Sequence, residues 1–287
     1  MEEIYKIKNT SFIKHSDAYK DKSIYPTFQE KLSNFKNLIE DNFINSHSKT
    51  FYKFGDGDYY FLKKIKFGSA RPGRRALKKP YFLIPHKKFV EGAKLNDYYL
   101  TKIEKPHQDM FFEIFKRYMD FPSEFIYGLT ANKWFFKNFP HDIGLIGADV
   151  KIQIIQHLME KDEYKDYLNL EKFNDYISIP QNFAVDKLSK IEKNIKTSLE
   201  LSTSKIFLVG MGHVKSGLLH KLKTYKENVQ FIDIGVGIDA IAGIINNERP
   251  YFGKWKNYRL KNQAIYENVD FLIRQEKVSK LTTHKFL

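Results

Sequence analysis

The chain has 287 residues, 42% of them hydrophobic and 29% charged, enough for a packed core and ordinary for a folded globular protein. Its 48 basic and 34 acidic residues leave a net charge of +14, which attracts phosphates, nucleotides, nucleic acid or an anionic membrane face. The absence of cysteine excludes disulfides, thiolate metal sites and a cysteine nucleophile.

Taken in chain order, residues 1–25 are polar and mixed and predict an irregular arm. The opening MEEIYKIKNTSF lacks the apolar core of an export signal. Residues 25–48 space Phe28, Leu32, Phe35, Leu38, Ile39 and Phe43 at helical intervals, with Thr27 and Glu30 as a candidate capping box. TFYKFG (50–55) predicts a strand, YYFLKKIKF (59–67) a short helix, and GSARPGRRALKKP (68–80) a cationic loop. Residues 87–119 read as two helices broken near 104–109. EFIYG (124–128) reads as a strand and ANKWFFKNF (131–139) as a helix.

From residue 142 the pattern becomes regular. Apolar runs at 142–147, 175–180, 205–210 and 229–235 alternate with helical segments at 148–159, 182–202, 213–225 and 237–246. Strands alternating with helices predict a parallel sheet with crossover helices, whose unbroken apolar runs reflect burial on both faces. The expected fold is therefore α/β. It is a Rossmann-like, mostly parallel sheet with flanking helices and N-terminal helical decoration, in one domain over 1–287. An aromatic and cationic tail follows at 248–287. No apolar run approaches the roughly 18 residues of a membrane span. The expected location is cytoplasmic, with at most a loose attraction to an anionic membrane surface. Aromatics reach 16%. A base composition rich in A and T accounts for most of them, and ring stacking on a ligand for the rest.

Three stretches sit where parallel sheets bind ligands, at the carboxyl ends of predicted strands. FGDGD (54–58) places Asp56 and Asp58 on a glycine-hinged corner. Two carboxylates so close raise each other's pKa unless a cation sits between them, and such pairs hold Mg²⁺ or Mn²⁺ on phosphates. Asp in a helix's first turn is the competing explanation. Arg71, Arg74, Arg75, Lys78 and Lys79 follow, with forked side chains suited to phosphate among them. FLVGMGHVKSG (207–217) is a strand, a Gly210-Met211-Gly212-His213 turn and a helix; Lys215 stands where a dinucleotide fingerprint would have its third glycine. FIDIGVGIDA (231–240) resembles a methyltransferase motif, but it lies on the last clear strand, whereas that motif opens its fold.

Together these stretches resemble the GT-D class of glycosyltransferases, which pair a strand–FGDGE–helix unit with a Rossmann-like half. FGDGD stands for that unit, with Asp58 in place of glutamate. ISIPQNFAVDKLSKI (177–191), the 210–213 turn and DIGVGIDAI (233–241) follow in the family's order. The resemblance implies sugar transfer from a nucleotide diphosphate sugar, UDP-linked, to a hydroxyl on a glycan or protein. Asp56 and Asp58 would hold Mn²⁺ or Mg²⁺ on the diphosphate, and Arg71, Arg74 or Arg75 would oppose the departing charge. Asn182, Gly210 and Gly212 would line the nucleotide pocket. His213, Asp233 and Asp239 are the candidate bases. Tyr251, Trp255 and Tyr258 would stack on the acceptor or else pack as a tail. The alternatives are a metal-dependent nucleic-acid enzyme, for which no further carboxylate cluster is evident, and a non-catalytic nucleotide-binding module.

Overall fold

The apolar runs of the sequence become the strands of one seven-stranded sheet. The structure is a computed structural model and describes residues 27–65, 79–244, 260 and 264–266. The strands are β1 (Lys49–Lys53), β2 (Tyr98–Thr101), β3 (Phe121–Pro122), β4 (Ile143–Ala148), β5 (Asp175–Ile179), β6 (Ile206–Gly210) and β7 (Gln230–Asp233). Their order is β3-β2-β1-β7-β6-β4-β5, and every pairing is parallel.

The helices are α1 (Phe28–Ile44), α2 (Asp56–Leu62), α3 (His86–Ala93), α4 (Lys105–Phe115), α5 (Ser123–Ala131), α6 (Trp134–Asn138), α7 (Asp149–Leu158), α8 (Asp162–Leu168), α9 (Leu188–Leu201), α10 (Lys215–Tyr225) and α11 (Gly237–Ile241). Their placement follows from right-handed crossovers. The steps β1 to β2 to β3 and β5 to β6 to β7 run one way across the sheet, so α2, α3, α4, α9 and α10 share one face, and α10 packs on both α3 and α9. The steps β3 to β4 to β5 run the other way. They put α5, α6, α7 and α8 on the opposite face, where α11 packs on α5 and α7. The chain therefore leaves β1 and β7, which are neighbours, toward opposite faces. Their carboxyl ends form the topological switch point, where open parallel sheets bind their ligands.

The two halves of the core differ in composition. Around β1 and β2 it is aromatic: Phe35, Phe51, Tyr52, Phe54, Phe61, Tyr99, Phe111 and Phe125 are all buried. Phe111 and Phe115 stack at 4.5 Å, and Phe51 stacks on Tyr98 at 4.9 Å. Around β4, β6 and β7 it is mostly aliphatic, as in the wholly buried IGLIGA of β4. Helix α9 buries Leu188, Ile191, Ile195 and Leu199, a single stripe at helical spacing.

Five local expectations are corrected. EFIYG at 124–128 lies in helix α5, entered through Pro122 at its N-cap with Glu124 in the first turn; its residues are almost all buried, so no helical period shows in the sequence. The expected helical pair over 87–119 contains strand β2, whose Tyr98 and Tyr99 pair with Phe51 and Tyr52. The expected break at 104–109 is instead the start of α4, with proline in its first turn. The helix expected from residue 59 begins at Asp56. Thr27 makes no side-chain cap on α1. The arm at 1–25, the loop bearing Arg71, Arg74, Arg75 and Lys78, and Tyr251, Trp255 and Tyr258 lie outside the described residues. Within the tail, Tyr266 is buried, and its hydroxyl accepts the Leu260 N–H at 3.0 Å.

Candidate functional site

Strand β1 ends at Lys53, and the chain turns through Phe54 and Gly55 directly into α2. The helix therefore carries both aspartates, Asp56 at its first position and Asp58 at its third. At 3.6 residues per turn, positions two apart point about 200° away from each other. Asp56 faces solvent, and its Oδ1 accepts the Gly57 N–H at 2.9 Å. Asp58 turns inward and is only 6% exposed. Its Oδ2 accepts the Gly55 N–H at 3.0 Å, the carboxylate half of a capping box. The two do not converge on a common point, so the pair does not fit a divalent ion held between them. Among the described residues no group of three or more His, Asp or Glu side chains is placed to hold a metal ion.

A cation does meet Asp58, and it is Lys215. This lysine is the first residue of α10 and is 4% exposed. Its Nζ lies 3.0 Å from Asp58 Oδ2 and 2.7 Å from Asp233 Oδ2, and it donates to the Lys53 carbonyl. Its three donors thus face three oxygens. The stem crosses the face of Tyr52, with Nζ 4.7 Å from the ring centroid. Tyr52 in turn shares a 2.8 Å hydrogen bond with Ser216. Burial pulls the Lys215 ammonium down, but Asp233 and Asp58 outweigh it and hold its pKa above the ordinary range. Burial likewise pushes Asp58 up, and Lys215, His213 and Lys53 reverse it, leaving the carboxyl well below the usual range.

Asp233 closes the network from β7. It is 1% exposed. Its Oδ2 also accepts the Lys53 N–H at 3.2 Å, and its Oδ1 accepts the Gly235 N–H at 2.9 Å. Both oxygens are committed, so Asp233 holds the lysine and faces no acceptor. The Lys53 side chain leaves on the opposite face and donates to Tyr127 at 2.7 Å. It passes against Gly235, whose φ of +51° suits glycine.

His213 stands at the mouth of this network. Strand β6 ends at Gly210, and a short turn with Gly212 at φ +53° delivers His213 just ahead of α10. The ring stacks on Phe61 at 4.6 Å with an interplanar angle of 14°. Its Nδ1 is buried and lies 3.6 Å from Asp58 Oδ1, beyond hydrogen-bond reach, while the side chain stays 14% exposed.

Two of the remaining expected residues, Asp239 and Asn182, lie elsewhere. Asp239, in α11, pairs with Lys151 of α7. Asn182 follows β5, two strands beyond β6 in the sheet. Gly210 is tight: an added Cβ would sit 2.8 Å from Ile238. The sequence reading missed Lys215, Lys53, Tyr127 and Ser216. One signal for Lys215 was available, since a lysine in the first turn of a helix opposes the macrodipole and needs compensating carboxylates.

A second cluster lies past β2 and β3. Glu124 is buried, accepts the Ile103 N–H at 3.1 Å, and has its pKa raised to about 7, chiefly by burial. Burial lowers the nearby Lys102, opposed by Glu104, Asp56 and Glu124.

Comparison with family models, with curated proteins and with solved structures returns no match to this chain.

Proposed function

We propose that the protein transfers a sugar from a nucleoside diphosphate sugar, UDP-linked, to a hydroxyl acceptor on a glycan or protein. The reaction is assigned to the carboxyl ends of β1, β7 and β6. The observation that carries this reading is the seating of His213. Its ring is fixed on Phe61, its buried Nδ1 faces the ionised Asp58, and its open side is at the sheet's ligand edge.

In this reading Asp58 favours the tautomer with its proton on Nδ1, and the contact tightens when substrate binds. Nε2 then takes the proton of the acceptor hydroxyl as that oxygen bonds to the sugar's anomeric carbon. The bond from that carbon to the diphosphate breaks, and the nucleoside diphosphate leaves with the electron pair. The glycine turn at 210–212 flanks the nucleotide, and the role of opposing the diphosphate charge is assigned to Arg71, Arg74 and Arg75, which lie outside the described residues. Asp233 and Asp239 take no part as bases, being committed to Lys215 and Lys151. No step passes through a divalent ion.

Thermal unfolding of the full chain with nucleoside diphosphates and their sugars, in EDTA and in Mn²⁺, tests the reading. UDP and UDP-sugars should raise Tm, and incubation with a UDP-sugar should release UDP. Stabilisation without UDP release would make the protein a non-catalytic nucleotide-binding module. Silence toward every nucleoside diphosphate would overturn both.

A further inference from the structure

We propose that Lys215 is the resident cation of this site, occupying the place a divalent ion would take between Asp58 and Asp233. The inference does not depend on sugar transfer, because its test needs no nucleotide.

Three oxygens from three separate chain segments converge on one ammonium. They are Asp58 Oδ2 from α2, Asp233 Oδ2 from the end of β7, and the Lys53 carbonyl from the end of β1. Two carboxylates and a backbone carbonyl are the donor set that hard divalent cations choose. Lys53 and Asp58 are close in sequence, but Asp233 and Lys215 are far from them, so the cage is completed only in the fold. Both carboxylates are nearly inaccessible, and two like charges buried together call for a cation between them. A lysine stem from the next helix supplies that charge. It is built in and cannot dissociate, and it keeps Asp58 ionised beside His213 without metal supply. Lys53 lies behind the same pair and is engaged with Tyr127, so it does not fill the cage.

The position should therefore accept a metal only when the ammonium is removed. Mn²⁺ binding is followed by electron paramagnetic resonance on the full-length wild type, Lys215→Ala and Lys215→Ala/Asp58→Asn. The expected pattern is no saturable binding in wild type, one Mn²⁺ per chain in Lys215→Ala, and loss of that ion in the double variant. Where Lys215→Ala is unfolded in EDTA, Mn²⁺ should restore its circular dichroism signal and should not do so for the double variant. Stoichiometric Mn²⁺ binding by wild type that disappears in Asp58→Asn would overturn the assignment. So would a folded Lys215→Ala that binds no Mn²⁺, or an unfolded one that Mn²⁺ cannot rescue. None of these outcomes bears on whether UDP raises Tm.

Discussion

The carboxylates of Asp58 and Asp233 meet on a single ammonium, Lys215 Nζ, at 3.0 and 2.7 Å. Asp58 lies in the first turn of helix α2 and Asp233 closes strand β7, so one side chain joins the start of the sheet's chemistry to its end. Removing one partner of a buried ion pair strands the others, at a cost of about 3–5 kcal/mol. Lys215→Met, which keeps the volume and removes the charge, should lose about that much in urea unfolding. Asp58→Asn in the Lys215→Met background should cost less than it does alone, because neighbouring effects do not add. A Lys215→Met loss below about 1 kcal/mol would mean that the ammonium is not buried in a closed network.

The pH dependence of Asp58 has a definite sign. Its folded pKa lies below the unfolded value, so its stabilisation is fully present above about pH 5 and is lost as the pH falls through the acid range. The stability gap between wild type and Asp58→Asn should therefore be wide at pH 6 and should narrow steadily below about pH 4. Urea midpoints at matched ionic strength measure it; a gap that stays constant to pH 2.5 would be inconsistent with an ionised Asp58.

Glu124 acts in the opposite direction. Burial raises its folded pKa from 4.5 to about 7, so the folded state binds the extra proton between those values. Stability should fall as pH rises through that window, by up to about 3 kcal/mol, because each pH unit crossed removes roughly 1.4 kcal/mol. Glu124→Gln keeps an oxygen for the Ile103 N–H and removes the titration. It should be more stable than wild type at pH 8 and close to it at pH 4.5. Equal slopes for the two proteins would refute the assignment.

His213→Ala should leave UDP-induced stabilisation largely in place, because the base acts on the acceptor hydroxyl and not on the nucleotide. Its rate of UDP release should drop about 10²–10⁴-fold, the range for a lost general base. Added imidazole should recover part of the rate. Full activity in the variant would remove His213 from the chemistry.

Gly235→Ala addresses the turn beyond β7. The residue has φ +51°, and an added Cβ would lie 2.4 Å from the Lys53 Cε, whose ammonium is tied to Tyr127. The left-handed conformation costs about 1–2 kcal/mol, and displacing Lys53 adds to it. Thermal unfolding should show the loss; at Gly212, where φ is +53° and the space is open, alanine should cost only the backbone part.

Much of the fold could be read before folding was considered. The unbroken apolar runs at β4, β6 and β7 and the stripe of α9 gave the parallel sheet and its crossovers, because burial on both faces leaves a continuous signature. EFIYG misled for the same reason: α5 is buried nearly all round, so no period of 3.6 survives, and aromatic and branched residues then mimic a strand. The four-residue β2 is too short to show any period at all.

By itself, the amino-acid order determined that acidic and glycine-hinged corners fall at the carboxyl ends of parallel strands, and that His213 opens a helix there. Only the tertiary structure decided what those groups face. Starting α2 at Asp56 instead of three residues later swings Asp56 into water and Asp58 inward, because helical geometry separates alternate positions. The strand order then sets β7 beside β1 and α10 above both. That brings Asp233 and Lys215 to Asp58, and a lysine supplies the charge that two buried carboxylates require.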